Sequence, residues 1–328
     1  MASRRFKSNE LGGADMTDKP ITVETVRVPS TDGIHTLQGV IYYPQTEIPF
    51  GILHVSHGMA EHIGRYDHFM RAVAAAGFIV CGHDHLGHGK TAADETEYGY
   101  FAECDGWRIV VSDIHTFCME VAQKYPGLPL FLMGHSMGSF LVRAAAAMYP
   151  DDYRALIIMG TSGINPLSTM GLGLTSFIKK FKGEKYVSKL TQDLAFGSYN
   201  KRTDSNDPFA WLTCDEELRK KHNEDPLCLF KFTTSAMNDL IAMQKAVNLP
   251  SWYQNIPKNL PILIVSGEED PVGSYGKGVT EVQNKLIKEG CTDVTCILYP
   301  NMRHEILNEI GKEIVYGDII AFLQTLTL

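Results

Sequence analysis

Two short runs near the start of the chain, Ile21–Val28 and Leu37–Tyr43, alternate apolar and polar residues. That period of two marks strands with one face on a core and one toward water, and it predicts an antiparallel hairpin. Six later runs are almost continuously apolar: Ile52–Ser56, Phe78–Cys81, Leu130–Met133, Ala155–Met159, Ile262–Ser266 and Val294–Tyr299. Such runs suit strands covered on both faces of a parallel sheet. Helical spacing fills the gaps at Tyr66–Ala76, Trp107–Lys124, Phe140–Met148, Lys277–Lys288 and Glu305–Leu326. The alternation predicts an α/β fold: a doubly wound, mostly parallel eight-stranded sheet with right-handed crossovers.

One stretch breaks the rhythm. Residues 162–255 contain no run that reads as a buried strand, yet they are rich in large apolar side chains such as Met170, Leu172, Phe177, Ile178, Phe181, Met237 and Ile241. The stretch is too long for a connection and lies between two predicted sheet strands, so it reads as an inserted helical cap. The core is then expected at 21–161 and 256–328, and residues 1–20 are set aside as an added or disordered extension.

Composition narrows the picture. The chain has 328 residues, 44% hydrophobic and 21% charged, which allows one large domain with an insertion. A net charge of −8 without a long basic block argues against a nucleic-acid partner. Seven cysteines with no CxxC pair predict buried, reduced thiols and a cytoplasmic location. The first twenty residues lack the apolar stretch of a signal peptide, and nothing approaches a membrane span.

The chemistry begins at Gly134-His135-Ser136-Met137-Gly138, set between the Leu130–Met133 run and a helical stretch. Strand, Gly-x-Ser-x-Gly turn and helix are the context in which this motif presents a serine nucleophile. A nucleophilic Ser136 needs a base and a group to orient it. His304 follows the last strand, and it alone among twelve histidines lies beyond the Asp270 loop. Asp270 follows the Ile262–Ser266 run; Glu268 and Glu269 compete with it, and Asp270 is preferred. Loops leaving the carboxyl ends of parallel strands converge, so these residues can meet. An oxyanion would be bound by the backbone N–H of Met137 and by that of Met59, which Gly58 lets approach closely. His83 and the run Asp84-His85-Leu86-Gly87-His88-Gly89 invite a metal reading, but no distant ligand joins them. They read instead as a hydrogen-bonded loop at the rim, and neither metal nor cofactor is expected.

The segments His57-Gly58-Met59-Ala60-Glu61-His62-Ile63-Gly64-Arg65-Tyr66, Asp84–Gly89, Gly134–Gly138, Asn223-Glu224-Asp225-Pro226, Asp270-Pro271-Val272 and His304-Glu305-Ile306-Leu307-Asn308-Glu309 resemble the monoacylglycerol lipase and lysophospholipase-like branch of the α/β-hydrolases. The resemblance implies that fold, a Ser136–Asp270–His304 triad, an oxyanion hole at Met59 and Met137, and a cap shielding an acyl pocket. Candidate substrate contacts are Gly58, Glu61 and His135 on the core, with Phe177, Ile178, Met237 and Ile241 on the cap. The expected activity is hydrolysis of a carboxylic ester, foremost a monoacylglycerol or related lipid monoester. A lysophospholipase or a general carboxylesterase for short-chain or aryl esters is the alternative. A prolyl-type aminopeptidase, with Glu61 or Glu268 holding the amine, and a non-catalytic binding protein are the remoter readings. Lys179, Lys180, Lys182 and Lys185 flank Ile178 and Phe181, as on a solvated helix face or one that touches a membrane surface transiently. The partner is a small ester or lipid, and no oligomeric state is predicted.

Overall fold

The structure, a computed structural model, describes residues 21–203 and 205–327; the predicted N-terminal extension lies outside them. Its single sheet contains β1 (Thr22–Pro29), β2 (Thr36–Tyr43), β3 (Ile52–Ser56), β4 (Ile79–His83), β5 (Leu130–His135), β6 (Ala155–Met159), β7 (Ile262–Gly267) and β8 (Val294–Tyr299). The strand order is β1-β2-β4-β3-β5-β6-β7-β8. β2 runs antiparallel to both its neighbours, and β3 to β8 are mutually parallel. All eight predicted strands are present. Of the hairpin, β2 supplies nearly all the buried positions while β1 stays mostly exposed, because β1 is the sheet edge and has a neighbour on one side only.

The helices in chain order are α1 (Asp67–Ala75), α2 (Gly106–Gln123), α3 (Met137–Met148), α4 (Ser168–Lys182), α5 (Lys189–Phe196), α6 (Glu216–Glu224), α7 (Thr234–Ala246), α8 (Pro250–Asn255), α9 (Lys277–Lys288) and α10 (Lys312–Thr325). Period-two side-chain alternation divides the central strands between two cores. Ile52, Leu132, Ile262 and Ile264 pack with α2, α3 and α9 on one face. Leu53, Phe131, Met133, Leu263 and Val265 pack with α1 and α10 on the other. Burying each such side chain stabilises the sheet by roughly 1.5–3 kcal/mol.

The last predicted helix is divided. Ile306–Asn308 forms a 3-10 turn, and α10 begins only at Lys312 after Gly311, whose φ is +82°. Glu309 breaks the helix because its carboxylate turns back to accept the backbone N–H groups of Arg303 and Cys214. His304 is thereby held in a loop of its own rather than at a helix start.

Helices α4 to α8 all lie between β6 and β7. Both necks of this insertion are tied to α3 by the fully buried Arg143: Nη1 donates to Thr161 Oγ1 and the Ser162 carbonyl, and Nη2 to the Val247 carbonyl and Asn248 Oδ1. A second tie titrates. Asp239 of α7 faces the backbone N–H groups of Gly106 and Trp107, where α2 begins without a side-chain cap of its own. Burial raises its pKa to about 7, against partial relief from those N–H groups and Lys179. Between about pH 4 and 7 the folded chain keeps a proton that the unfolded chain has released, so this group's contribution to stability is lost as pH rises. Asp239→Asn keeps an acceptor and removes the buried charge. It is expected to raise Tm by about 3 °C or more at pH 8 and to leave it unchanged near pH 4.5. Equal shifts at both pH values in thermal melts would refute the assignment.

Candidate active site

Ser136 follows β5 and has φ +54° and ψ −118°, a conformation that a non-glycine residue adopts only under constraint. The constraint is steric crowding. A Cβ on Gly134 would lie 2.1 Å from the Gly138 carbonyl oxygen, and one on Gly138 would lie 2.1 Å from that of Ser56. Only glycines let β5, the serine turn, α3 and the end of β3 approach so closely. Ser136 N–H donates to the Met159 carbonyl at 3.0 Å, which pins the turn to β6.

The loop after β3 has its polar backbone groups almost fully committed. His57 Nδ1–H donates to the Gly58 carbonyl at 2.8 Å, and its Nε2 accepts from His85 N–H at 3.0 Å. Gly58 N–H donates to Glu61 Oε1 at 2.5 Å, and Ala60 N–H to His88 Nε2 at 3.3 Å. His88 Nδ1–H in turn donates to the Leu86 carbonyl at 2.9 Å. Burial pushes both imidazoles down, His88 to about 3, so each stays neutral and keeps its accepting nitrogen at neutral pH. Among the described residues, neither Met59 N–H nor Met137 N–H has an acceptor. Two donors are therefore left free beside a strained serine. A Cβ on Gly58 would fall 2.6 Å from Glu61 Oε1 and 3.1 Å from Ser136 Cβ. Gly58→Ala is thus expected to displace the loop and lower kcat by about 10²-fold, the cost of one oxyanion donor. A rate within threefold of wild type on p-nitrophenyl butyrate would show that the loop's position is immaterial.

Beneath this loop lies a buried charged cluster. Arg65 forks onto Glu305, with Nη1 to Oε1 and Nη2 to Oε2 both at 2.7 Å, and Nη1 also reaches Glu61 Oε2 at 2.9 Å. Glu61 Oε1 accepts from Tyr66 Oη at 2.9 Å and faces His135 Nδ1 at 3.3 Å. Burial by itself would raise the Glu61 pKa. The His135 hydrogen bond and the Arg65 charge outweigh it and hold the carboxylate well below its ordinary range. Burial depresses His135, but the Glu61 hydrogen bond and charge outweigh that and raise it. His135 Nε2 donates to the His304 carbonyl at 3.2 Å, linking the residue before the serine to the loop after β8.

His304 Nδ1–H donates to Asp270 Oδ2 at 2.9 Å, and both side chains are buried. The other contacts of Asp270 fix its carboxylate: Val272 N–H reaches Oδ1 at 2.8 Å, and Ser266 Oγ lies 3.2 Å from Oδ2. Glu268 and Glu269, the competing carboxylates, are exposed. The His304 ring lies 4.5 Å from the His135 ring and 5.0 Å from the indole of Trp211, centroid to centroid. A Cβ on Gly160, which has φ +59°, would sit 3.1 Å from His304 Cε1 and 3.2 Å from His135 Cδ2. Sequence reasoning missed Gly160, Trp211, Arg65 and Glu305. Glu305 and Arg65 stand inside motifs, so their neighbours signalled them; an insertion tryptophan gives no such signal.

The structure gathers Gly58, Glu61, His135 and Ser136 around the β3 and β5 ends, and joins His304 to Asp270. The cap residues scatter. Phe177 is 63% exposed and packs on Phe181. Ile178 is half-buried on the same helix. Met237 is buried in the α2–α3 core, and Ile241 packs toward Gly171 of α4.

Residues 47–311 match the model of the family described as serine aminopeptidase, S33. The human monoglyceride lipase is 36% identical over 286 residues, covering 82% of this chain and 84% of that one. The chain belongs to the monoglyceride lipase-like α/β-hydrolases. It is a carboxylic ester hydrolase. The monoacylglycerol lipase of Mycolicibacterium smegmatis is 27% identical over 90% of this chain and 98% of its own. A thermostable carboxyl esterase of Bacillus coagulans, solved with glycerol, superimposes with a TM-score of 0.88 at 30% identity over 94% of this chain and all of that one. Among the described residues no helix is long and apolar enough to cross a membrane.

Proposed function

We propose that this hydrolase cleaves monoacylglycerols or closely related lipid monoesters by acyl transfer through Ser136. The observation behind the reading is the pair of unengaged N–H groups, Met59 and Met137, on either side of the strained serine. They suit the oxygen that becomes negative when Oγ adds to an ester carbonyl. His304 takes the Ser136 proton and returns it to the leaving glycerol oxygen; water then repeats the sequence on the acyl-enzyme. Asp270 holds His304 in the tautomer with hydrogen on Nδ1, leaving Nε2 to accept, and stabilises the imidazolium. Neutral His57 and His88 hold the donor loop without bringing a charge near it.

The apolar part of the substrate is assigned to the insertion. Met170, Phe181, Leu190 and Leu194 are exposed there, and Phe181 stands among Lys179, Lys180, Lys182 and Lys185. In this reading that face meets a lipid surface, and cosedimentation with anionic vesicles at low salt tests it: no binding there removes the surface contact. The aminopeptidase alternative needs a carboxylate free to hold a substrate ammonium. Glu61 is already engaged by Gly58, Arg65, Tyr66 and His135, and Glu268 is exposed. The deciding experiment is a hydrolysis panel of monoacylglycerols, lysophospholipids, aryl esters and proline naphthylamide. The highest kcat/KM is expected on a monoacylglycerol; a preference for the naphthylamide would overturn the reading.

A further inference from the structure

His62, on the loop after β3, faces Asp225 and Cys228, on the turn after α6. An imidazole nitrogen, a carboxylate oxygen and a thiol sulfur there all lie within 4.8 Å of one another. We propose that these three side chains form a binding site for a thiophilic divalent cation of the zinc type, bridging the core loop and the insertion, with water as fourth ligand.

The donor set is one that zinc takes, at about 2.0 Å from nitrogen and oxygen and about 2.3 Å from sulfur. Tetrahedral bonds of that length put ligand atoms roughly 3.3–3.6 Å apart. His62 Nε2 and Asp225 Oδ2 are 2.9 Å apart, so they need to open by only a few tenths of an ångström, and Cys228 needs to swing inward. Asp225 is already oriented for single-oxygen ligation: its Oδ1 accepts Leu227 N–H at 2.9 Å, leaving Oδ2 toward His62.

The local field favours a cation. Arg65 exerts the largest single charge effect on Cys228, but it is paired with Glu61 and Glu305, and with Asp225 the three carboxylates outnumber it and leave the surroundings net negative. An entry path exists as well. The His62 and Asp225 side chains are 18% and 30% exposed, while the sulfur lies buried behind them. Binding would release the Cys228 thiol proton to solvent. Because His62 follows the Met59 loop closely in sequence, a bound ion would add a second tie between that loop and the insertion, beside the existing His62–Asp225 hydrogen bond.

Cobalt(II) is the probe, since a thiolate ligand gives it a near-ultraviolet charge-transfer band. The full chain, stripped with a chelator, is titrated with cobalt and then back-titrated with zinc. A saturable band of one ion per chain, displaced by zinc and also present in Cys104→Ser, is expected for wild type. Cys228→Ser should lose the band, and Asp225→Asn should bind at least tenfold more weakly. No band in wild type, or the same band in Cys228→Ser, overturns the proposal. If Cys228→Ser does not fold, the partly exposed Asp225 decides: unchanged cobalt affinity in Asp225→Asn overturns it equally.

Discussion

Ser136→Ala is expected to lower kcat on any good ester by at least ~10⁴-fold, with KM changed little, because the proposed acyl transfer runs through its hydroxyl. Alanine keeps the Cβ that the turn already accommodates at φ +54°, so the strained backbone is unaltered and Tm should move by less than about 2 °C. Met59 and Met137 N–H groups would remain, and with them whatever rate oxyanion binding alone supports. The same variant should no longer be labelled by a fluorophosphonate. Labelling that persists, or a loss below about tenfold, would place the nucleophile elsewhere. Ser139 is another hydroxyl on this turn. It is buried, and it donates to the Ser136 carbonyl at 2.6 Å, which leaves it unsuited to attack.

The sheet was legible because period-two alternation and continuous apolar runs are local consequences of how a strand is covered. The pair His304 and Asp270 was legible for a topological reason: parallel strands place all their following loops on one edge, so chain order predicts convergence. What escaped was set by contacts distant in sequence. Glu309 breaks the final helical pattern because its carboxylate is drawn to Arg303 and Cys214, and no helical periodicity contains that information. Gly160 looks like any strand-end glycine until two imidazoles are packed over it. Phe177 shows the limit most plainly. Apolar spacing says that a helix has an apolar face, but it does not say whether that face packs inward or stays exposed, as Phe177 does.

The charged cluster under the donor loop changes how the site should be regarded. Glu61 touches both Gly58 N–H and His135, and Arg65 joins Glu61 to Glu305, the residue after His304. The loop after β3 and the loop carrying His304 are thus held by one largely covered guanidinium. Removing one member leaves the others buried and unpaired, a penalty that exceeds the worth of any single ion pair there. Rigidity of this kind favours a preorganised oxyanion site, whose donors gain by not having to reorient as charge develops.

Asp270→Asn is expected to cost about 10⁴-fold in kcat, although it removes a single charge and no volume. Val272 N–H reaches Oδ1 at 2.8 Å, and His304 Nδ1 and Ser266 Oγ approach Oδ2 at 2.9 and 3.2 Å. An amide has one oxygen. The Val272 donor is fixed in the backbone, so it keeps the oxygen and the amide NH₂ turns toward His304. Nδ1 must then accept, the ring proton moves to Nε2, and the nitrogen meant to take the Ser136 proton becomes a donor. The opposite flip would set the amide NH₂ against Val272 N–H and leave a buried donor unsatisfied, at about 1–3 kcal/mol. Both arrangements keep the fold, so Tm should fall only modestly while kcat collapses. Glu268→Gln is the matched control and should stay within twofold of wild type, since that side chain is exposed. A rate for Asp270→Asn within tenfold of wild type, or a comparable collapse in Glu268→Gln, would remove Asp270 from its role.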